Sequence, residues 1–207
     1  MIPRIIHQIW VGNNPRPSKW MNTWKTNHPD WQYLLWNEEK IKELGLVNED
    51  VYRFYYMMEC WHGCADVVRV EVLFKYGGVY LDADTTCTHP IDELIKRDFF
   101  AVYEPGKEMG RIANGIIGVS PLHRIMKDYI MAIRSAESLT PPYNTIGAPM
   151  FKKIIQQRGK TNQILNSYSF FRTDKMGNKV AQIGKNYADH YYSTTYLSPL
   201  KRYSDGQ

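Results

Sequence analysis

Along the first part of the chain, apolar stretches with the length of strands alternate with stretches in which apolar residues have helical spacing. Strands are predicted at residues 5–11 and 31–36, and helices around 20–24, at 38–44 and from 48 onward. Pro29 ends the first helix, and Asn37 is a suitable N-cap for the second. This order predicts a parallel sheet with helical crossovers, in which ligands bind at the carboxyl ends of the strands.

The rest of the chain continues the alternation. Residues 64–76 have the length of a helix, and Gly77 provides its stop before an apolar strand. Further strands are predicted at 99–104 and 112–119, and further helices at 91–95, 120–134 and 147–157. Ser120 and Pro121 mark the start of the helix that reaches Arg134. The tyrosine-rich remainder is either a loop that closes over a site or a tail packed on the body.

These elements predict one α/β domain over residues 1–207, Rossmann-like, with a mixed, mainly parallel sheet flanked by helices. No linker, repeat or low-complexity stretch divides the chain, and no apolar run reaches membrane-spanning length. The amino-terminal residues lack the long apolar region of a signal peptide. Three cysteines favour a reducing compartment over a disulfide framework. A soluble, cytoplasmic product is therefore expected.

The formal net charge is +5, with a pI near 9.0. The basic residues are scattered among acidic neighbours and form no block that would neutralise many phosphates, so nucleic acid is not expected as a partner. A mildly basic surface suits a small, doubly charged ligand equally well.

Two carboxylates follow the strand after Gly77. Strand alternation predicts that Asp82 and Asp84 share one face, while Val79, Leu81 and Ala83 point the other way into a core. Such a pair suits Mg²⁺ or Mn²⁺, which take carboxylate oxygens together with water and substrate phosphates. The pattern predicts a metal site that expects a phosphorylated ligand.

Two further polar positions stand out in apolar surroundings. Asp66 and Arg69 lie one turn apart on one helix face, either as a surface ion pair or, given the surrounding valines, facing a polar cleft. Asn114 interrupts an apolar strand, where it either faces a ligand or marks a bulge before Gly115.

Residues 2–12 and 65–84 together resemble the sugar transferases with an Asp-x-Asp motif, and residues 112–123 resemble them less closely. That group includes glycosyltransferase family 32, with the yeast initiating mannosyltransferases and their capsular-polysaccharide and viral relatives, and more distantly the large clostridial glucosylating toxins. The resemblance implies a GT-A-like domain that moves a sugar from a nucleoside diphosphate donor, expected to be a uridine diphosphate sugar, to a carbohydrate or other hydroxyl acceptor.

The resemblance also implies roles for individual residues. Trp10 is expected to stack on the base, Asp66 and Arg69 to bind the donor sugar and a nearby phosphate, and Asp84 to bind the metal directly. Candidate catalytic residues are Asp66, Arg69 and Asp84. Candidate metal ligands for Mn²⁺ or Mg²⁺ are Asp82, Asp84 and His190. Candidate donor-binding residues are Gln8, Ile9, Trp10, Asp66, Arg69, Tyr80, Asp82, Ala83, Asp84 and Asn114.

Relatives carry a Ser before a His-x₅-Trp pattern near the carboxyl terminus, where this chain has His190 followed by Thr195 and Tyr196. The resemblance implies retention of the anomeric configuration. An inverting enzyme would instead need a base below the sugar, for which Glu104 and Asp189 are candidates.

Two alternatives remain at this point. Asp82-Ala83-Asp84-Thr85 also matches the motif of haloacid-dehalogenase-type phosphatases, with Asp82 as the nucleophile, although no later Gly-Asp-x-x-x-Asp motif follows. A non-catalytic module that binds nucleotide sugars would keep the binding residues without the chemistry.

Overall fold

The computed structural model describes residues 1–106 and 110–192. The strands in this part of the chain are β1 Ile5–Ile9, β2 Gln32–Trp36, β3 Gly78–Leu81, β4 Thr85–Cys87, β5 Phe99–Tyr103, β6 Ile112–Val119, β7 Ile164–Leu165 and β8 Ala188–His190. The α-helices are α1 Ser18–Asn27, α2 Glu38–Leu44, α3 Glu49–Met57, α4 Trp61–Tyr76, α5 Arg124–Arg134, α6 Pro142–Thr145 and α7 Ala148–Gln157. Short 3₁₀ helices lie at Leu94–Lys96, Thr161–Gln163 and Ser167–Ser169.

Six strands form one mixed sheet in the order β2-β1-β3-β6-β5-β7. β1 is parallel to β2 and β3, and β5 is parallel to β7, whereas β6 is antiparallel to both of its neighbours. Five strands therefore point one way and β6 points the other. This confirms the expected mixed, mainly parallel sheet flanked by helices.

Alternation along the central strand β3 divides the core between the two faces of the sheet. Val79 and Leu81 pack into one apolar cluster with Trp24 and Phe100, and Tyr80 packs into the other. The second cluster includes the buried faces of α3, α4, α5 and α7. Both faces are covered, as a sheet with helical crossovers requires.

Helix α4 is the element that leads into the site. Gly77 ends it at a φ of +63°, and its backbone N–H donates to the Leu73 carbonyl at 2.9 Å. The helix is buried along most of its length, so its polar residues need partners inside the protein. Glu71 finds them in the backbone N–H groups of Val47 and Asn48, at 2.6 and 2.8 Å.

Most predicted elements are present, but some of their ends differ. The helix predicted from Ser120 begins only at Arg124, because Leu122 has a φ of +57° and the His123 side chain caps the helix. The segment predicted as a helix at 91–95 forms only the 3₁₀ turn Leu94–Lys96. Part of the tyrosine-rich remainder forms strand β8, which pairs with β4. Thr195 and Tyr196 lie outside the described residues.

No helix in the described part of the chain is both long and apolar enough to cross a membrane. The three cysteines are free thiols.

Candidate active site

The carboxyl ends of β1 and β3 lie side by side, and the Asp-x-Asp motif follows the second of them. β3 ends at Leu81, so Asp82 and Asp84 are in a turn and not on a strand. The Thr85 backbone N–H and hydroxyl both donate to the Asp82 carbonyl, at 3.2 and 2.7 Å, which closes the turn. The expectation that strand alternation aligns the two carboxylates was therefore wrong, because the turn brings them together instead.

His190 joins the two carboxylates. One ligand atom from each of Asp82, Asp84 and His190 lies within 4.8 Å of the others, and they are the one such group of three found among the described residues. The pairing of β8 with β4 sets His190 opposite Thr85, and the Tyr191 N–H donates to the Asp84 carbonyl at 3.0 Å. Two carboxylates and an imidazole are a donor set that fits Mn²⁺ or Mg²⁺.

The Asp82 carboxylate is contacted by side chains from three other site residues. The Tyr80 hydroxyl donates to its Oδ1 at 2.8 Å, Arg69 Nη1 lies 3.5 Å from the same oxygen, and His190 Nε2 lies 3.5 Å from Oδ2. Burial alone would raise the pKa of Asp82, but the positive charge of Arg69 and the hydrogen bond from His190 hold it well below its usual range. Asp82 is thus a carboxylate at neutral pH.

The His190 ring is held by one backbone N–H group and faces the two carboxylates. Its Nδ1 accepts the Tyr192 N–H at 3.1 Å, and its Nε2 faces Asp84 Oδ1 at 3.5 Å as well as Asp82. Burial would lower the pKa of His190, but Asp84 and Asp82 outweigh burial and raise it. Because Nε2 faces both carboxylates, a metal bound there would take the place of a proton on that nitrogen.

A second charged group lies beside the first. Arg69 Nη2 is 2.9 Å from Asp66 Oδ1, the side chains are only 5% and 7% exposed, and Asn114 Nδ2 donates to the same Asp66 oxygen at 2.8 Å. Arg69 Nη1 also donates to the Asn114 carbonyl at 2.7 Å. The two residues therefore face the interior of the site, not open solvent. Burial raises the pKa of Asp66, while Arg69 and Asn114 oppose that rise.

Asn114 lies at an irregularity, as one of its two interpretations predicted. In the pairing of β5 with β6, Ala101 faces Ile117 but Val102 faces Ala113, so residues 114–116 form a bulge. The bulge brings Gly115 against Asp82, where a Cβ atom would overlap the carboxylate. A side chain at position 115 would displace the Asp82 carboxylate from this position.

Two cavities meet at the group formed by Asp82, Asp84 and His190. The first, of about 150 Å³, is lined by Ile9, Trp10, Val11, Asn14, Trp61, His62, Ala65, Arg69, Tyr80, Asp82, Ala83, Asp84, His190 and Tyr192. The second, of about 560 Å³, shares Arg69, Asp82 and His190 with the first and adds Asp66, Asn114, Glu104 and Arg111. The structure thus brings nine of the ten predicted donor-binding residues to the two cavity walls.

Gln8 is the exception, since it lines neither cavity. Its buried amide donates to the Asp82 carbonyl at 3.3 Å and accepts the Tyr33 hydroxyl at 2.6 Å. Gln8 therefore supports the turn that contains Asp82 and Asp84 without lining a cavity. Of the two candidate bases, Glu104 lines the second cavity, whereas Asp189 lines neither and pairs with Arg172 at 3.0 Å.

Several site residues carried no usable signal in the sequence. Trp61 and His62 line the first cavity at the start of α4, and Gly12, at a φ of +84°, leaves room for the Trp61 ring. Tyr192 belongs to the tyrosine-rich remainder for which a loop over a site was one of two predictions, and it lines both cavities and holds His190. Gly115 could also have been suspected, as a glycine after a polar residue in an apolar strand.

Comparison with protein families gives a match to the glycosyltransferase sugar-binding region containing a DXD motif, over residues 15–101. That range includes both Asp66 and the Asp-x-Asp motif.

Several curated relatives carry transferase names. Inositol phosphoceramide mannosyltransferase 1 of Schizosaccharomyces pombe is 34% identical over 134 residues, which are 59% of this chain and 40% of that protein. Inositol phosphoceramide mannosyltransferase 3 of the same organism is 32% identical over 162 residues, 74% of this chain and 44% of that protein. The chain spans less than half the length of these two relatives. An uncharacterized glycosyltransferase of Acanthamoeba polyphaga mimivirus is 28% identical and covers 78% of this chain.

Among solved structures, the PaToxG glycosyltransferase aligns with a TM-score of 0.63 at 15% identity, over 76% of this chain and 70% of that one. At that identity the likeness concerns the fold, which agrees with the expected GT-A-like domain. Together the matches confirm the resemblance to Asp-x-Asp sugar transferases, and they favour a transferase over a phosphatase.

Proposed function

We propose that this chain, which belongs to the family of glycosyltransferases with a DXD-containing sugar-binding region, transfers a sugar from a nucleoside diphosphate donor to a hydroxyl acceptor with the aid of a divalent ion. The observation that carries the proposal is the convergence of Asp82, Asp84 and His190 beside the buried pair of Asp66 and Arg69. A carboxylate-rich metal site next to a fixed guanidinium suits a diphosphate leaving group.

Asp82, Asp84 and His190 would hold the ion. Bound there, Mn²⁺ or Mg²⁺ supplies Lewis-acid stabilisation of the charge that develops on the departing diphosphate. Asp84 is 8% exposed and lines the first cavity. Mn²⁺ suits the set at least as well as Mg²⁺ because one ligand is an imidazole.

The remaining charged groups act on the donor directly. The guanidinium of Arg69 lies 4.7 Å from the centre of the Tyr80 ring and is held between Asp66 and Asp82, so its position is fixed before a donor binds. It adds positive charge beside the leaving phosphate. Asp66 and Asn114 line the second cavity and would bind hydroxyl groups of the donor sugar.

Retention of the anomeric configuration, with the acceptor proton passing to the departing phosphate, is part of the proposal. This route needs no protein base below the sugar. Glu104, the candidate base that lines the second cavity, is already paired with Arg111 at 2.7 Å.

The base of the nucleotide would stack on Trp10, which follows β1 and lines the first cavity. Uridine is the expected nucleoside, and contacts beside Trp10 must select it because stacking alone tolerates any base. The two Schizosaccharomyces pombe relatives are named inositol phosphoceramide mannosyltransferases, so mannose is a candidate for the transferred sugar and an inositol phosphoceramide is a candidate acceptor.

A donor screen tests the function. The purified chain is incubated with uridine and guanosine diphosphate sugars in Mn²⁺, and both thermal stabilisation and slow donor hydrolysis are recorded. A donor at a hundredfold excess over its dissociation constant should add about 2.7 kcal/mol of stability. Hydrolysis that needs the metal supports a transferase. Stabilisation without turnover for any donor and acceptor would leave only a binding module.

Competition separates the nucleosides. Uridine diphosphate should displace the bound donor at a lower concentration than guanosine diphosphate. Equal competition, or tighter binding of guanosine diphosphate, would overturn the uridine assignment while leaving the transferase reaction in place.

A further inference from the structure

We infer that the second cavity binds the acceptor as a sugar or polyol ring, and that Glu104 and Arg111 position its hydroxyl groups; this inference rests on the proposed function. The cavity opens on the side of the metal-binding group away from Trp10, which lines only the first cavity. His62, Arg69, Asp82, His190 and Tyr192 line both cavities.

The residues that line both cavities determine where the nucleoside, the diphosphate and the sugar of the donor would lie. A diphosphate at Asp82 and Asp84 would put the nucleoside in the first cavity and the donor sugar at the entrance of the second, against Asp66 and Asn114. Cavities of about 300–1,000 Å³ hold ligands larger than one sugar ring. At about 560 Å³, the second cavity therefore has room for the donor sugar and part of an acceptor.

Glu104 and Arg111 stand at adjoining ends of strands β5 and β6. The Glu104 N–H donates to the Arg111 carbonyl at 2.8 Å, and Arg111 Nε lies 2.7 Å from Glu104 Oε2. Their side chains are 19% and 31% exposed, and both line the second cavity. The ion pair fixes the direction of the carboxylate before a ligand arrives.

A carboxylate bound to arginine still has lone pairs for further donors, and it has no donors of its own while it is ionised. Hydroxyl groups of a sugar or polyol provide such donors. The same cavity has Tyr143 in its wall, and the face of this exposed ring suits the C–H face of a sugar. Paired charge and aromatic surface together favour a neutral, hydroxyl-rich ring at this position.

The pair also ties β5 to β6, so the experiment must separate positioning from folding. Glu104→Gln keeps the size of the side chain and removes its charge, and Arg111→Lys keeps the charge and removes the planar fork. Glu93→Gln is the matched control, because Glu93 also pairs with a cation, Lys185 at 2.8 Å, but lines neither cavity.

Each variant is compared with the wild type in two assays, with the donor found in the screen. One follows donor hydrolysis without acceptor, and the other follows transfer to methyl glycosides and to myo-inositol. Glu104→Gln should lower kcat/KM for the acceptor about 10- to 100-fold while donor hydrolysis stays within about twofold of the wild type. Arg111→Lys should show the same split, and Glu93→Gln should show neither change. Melting temperatures identify any variant that fails to fold.

Three outcomes would overturn the inference. Transfer and hydrolysis could fall together in the folded variants, transfer could remain unchanged, or the wild type could hydrolyse donor and accept none of the probes. If the wild type turns over no donor at all, the proposed function itself fails, and the acceptor assignment fails with it.

Discussion

His190 pairs across strands β8 and β4 with Thr85, the residue that follows Asp84 in the chain. The pairing fixes an imidazole from the carboxyl-terminal part of the chain beside the two motif carboxylates, which come directly after β3. The ligand set is therefore assembled by tertiary structure, and its three members should contribute unequally to metal binding.

Asp84→Asn should abolish metal-dependent donor hydrolysis, with a loss of at least about 100-fold. The change keeps the size of the side chain and removes the charge that a hard cation needs. Donor hydrolysis is measured over a range of Mn²⁺ concentrations. Asp128→Asn is the control, because Asp128 forms an ion pair with Arg158 and lines neither cavity. Undiminished wild-type activity in excess chelator would contradict the metal assignment.

His190→Ala should have a milder effect, raising the Mn²⁺ concentration needed for half-maximal activity about 10-fold while leaving turnover at saturating metal largely intact. Phosphate and water oxygens can replace one neutral ligand, whereas they cannot replace the charge of Asp84. The measurement is the same metal titration. A loss as complete as that of Asp84→Asn would show that His190 does more than ligate.

Gly115→Ala should weaken metal binding without a comparable loss of stability. The added methyl group would overlap the Asp82 carboxylate, which must then turn away. In Gly118→Ala, on the same strand, the methyl group meets the buried Phe100 ring instead. We therefore expect Gly118→Ala to lower the melting temperature more, and Gly115→Ala to raise the required Mn²⁺ concentration more. If Gly118→Ala raised the required Mn²⁺ concentration more than Gly115→Ala, the Asp82 side chain would have a second conformation that still binds the metal.

The sequence predicted the sheet well because periodicity and stop signals are local. Gly77 ends α4 and Asn37 caps α2 with an Oδ1 that accepts the Lys40 N–H at 3.2 Å, both as the residue types indicate. Strand β8 was missed because three residues carry little pattern, and its pairing with β4 depends on distant parts of the chain.

In the site too, features set by neighbouring residues could be predicted, whereas contacts between distant parts of the chain could not. Asp82 and Asp84 could be predicted as partners because they are neighbours in sequence, although the reason, a turn instead of a strand face, was not foreseen. The contact of Asn114 with Asp66 depends on a bulge in β6 that packs against α4, and no local pattern reveals such a contact.

Asp66→Asn should reduce turnover at least about 100-fold while affinity for the free nucleoside diphosphate changes little. Asp66 lines the second cavity and not the first, so the interactions it makes are expected at the sugar. Binding of the nucleoside diphosphate with Mn²⁺ is measured by calorimetry and turnover by donor hydrolysis. Weakened nucleotide binding with normal turnover would reverse the roles of the two cavities.

The Asp66 variant also tests the buried ion pair. Asparagine keeps an oxygen for the Asn114 amide but leaves Arg69 with Asp82 as its remaining carboxylate partner among the described residues. Breaking a buried pair costs about 3–5 kcal/mol, so the variant should unfold at a lower urea concentration. The turnover assay is therefore run without urea, where the variant is folded.

His7 should make the fold sensitive to acid. The ring is fully buried beneath the sheet end, its Nδ1 accepts the Trp36 indole N–H at 3.1 Å, and its Nε2 donates to the Gly77 carbonyl at 2.8 Å. This pattern needs the neutral ring, since a second proton on Nδ1 would face the indole N–H. Burial lowers the pKa of His7 from 6.5 to about 4, although the Gly77 hydrogen bond opposes that change.

The direction in which stability changes with pH follows from proton binding by the native and unfolded chains. Between pH 6.5 and about 4 the unfolded chain binds a proton at His7 and the native chain does not, so stability is fully present above pH 6.5 and falls on acidification through this range. The loss amounts to about 3 kcal/mol. Urea unfolding of the wild type and of His7→Gln at several pH values isolates this part, because other histidines contribute equally to both chains. The same acid sensitivity in His7→Gln would show that the ring titrates freely in the native protein.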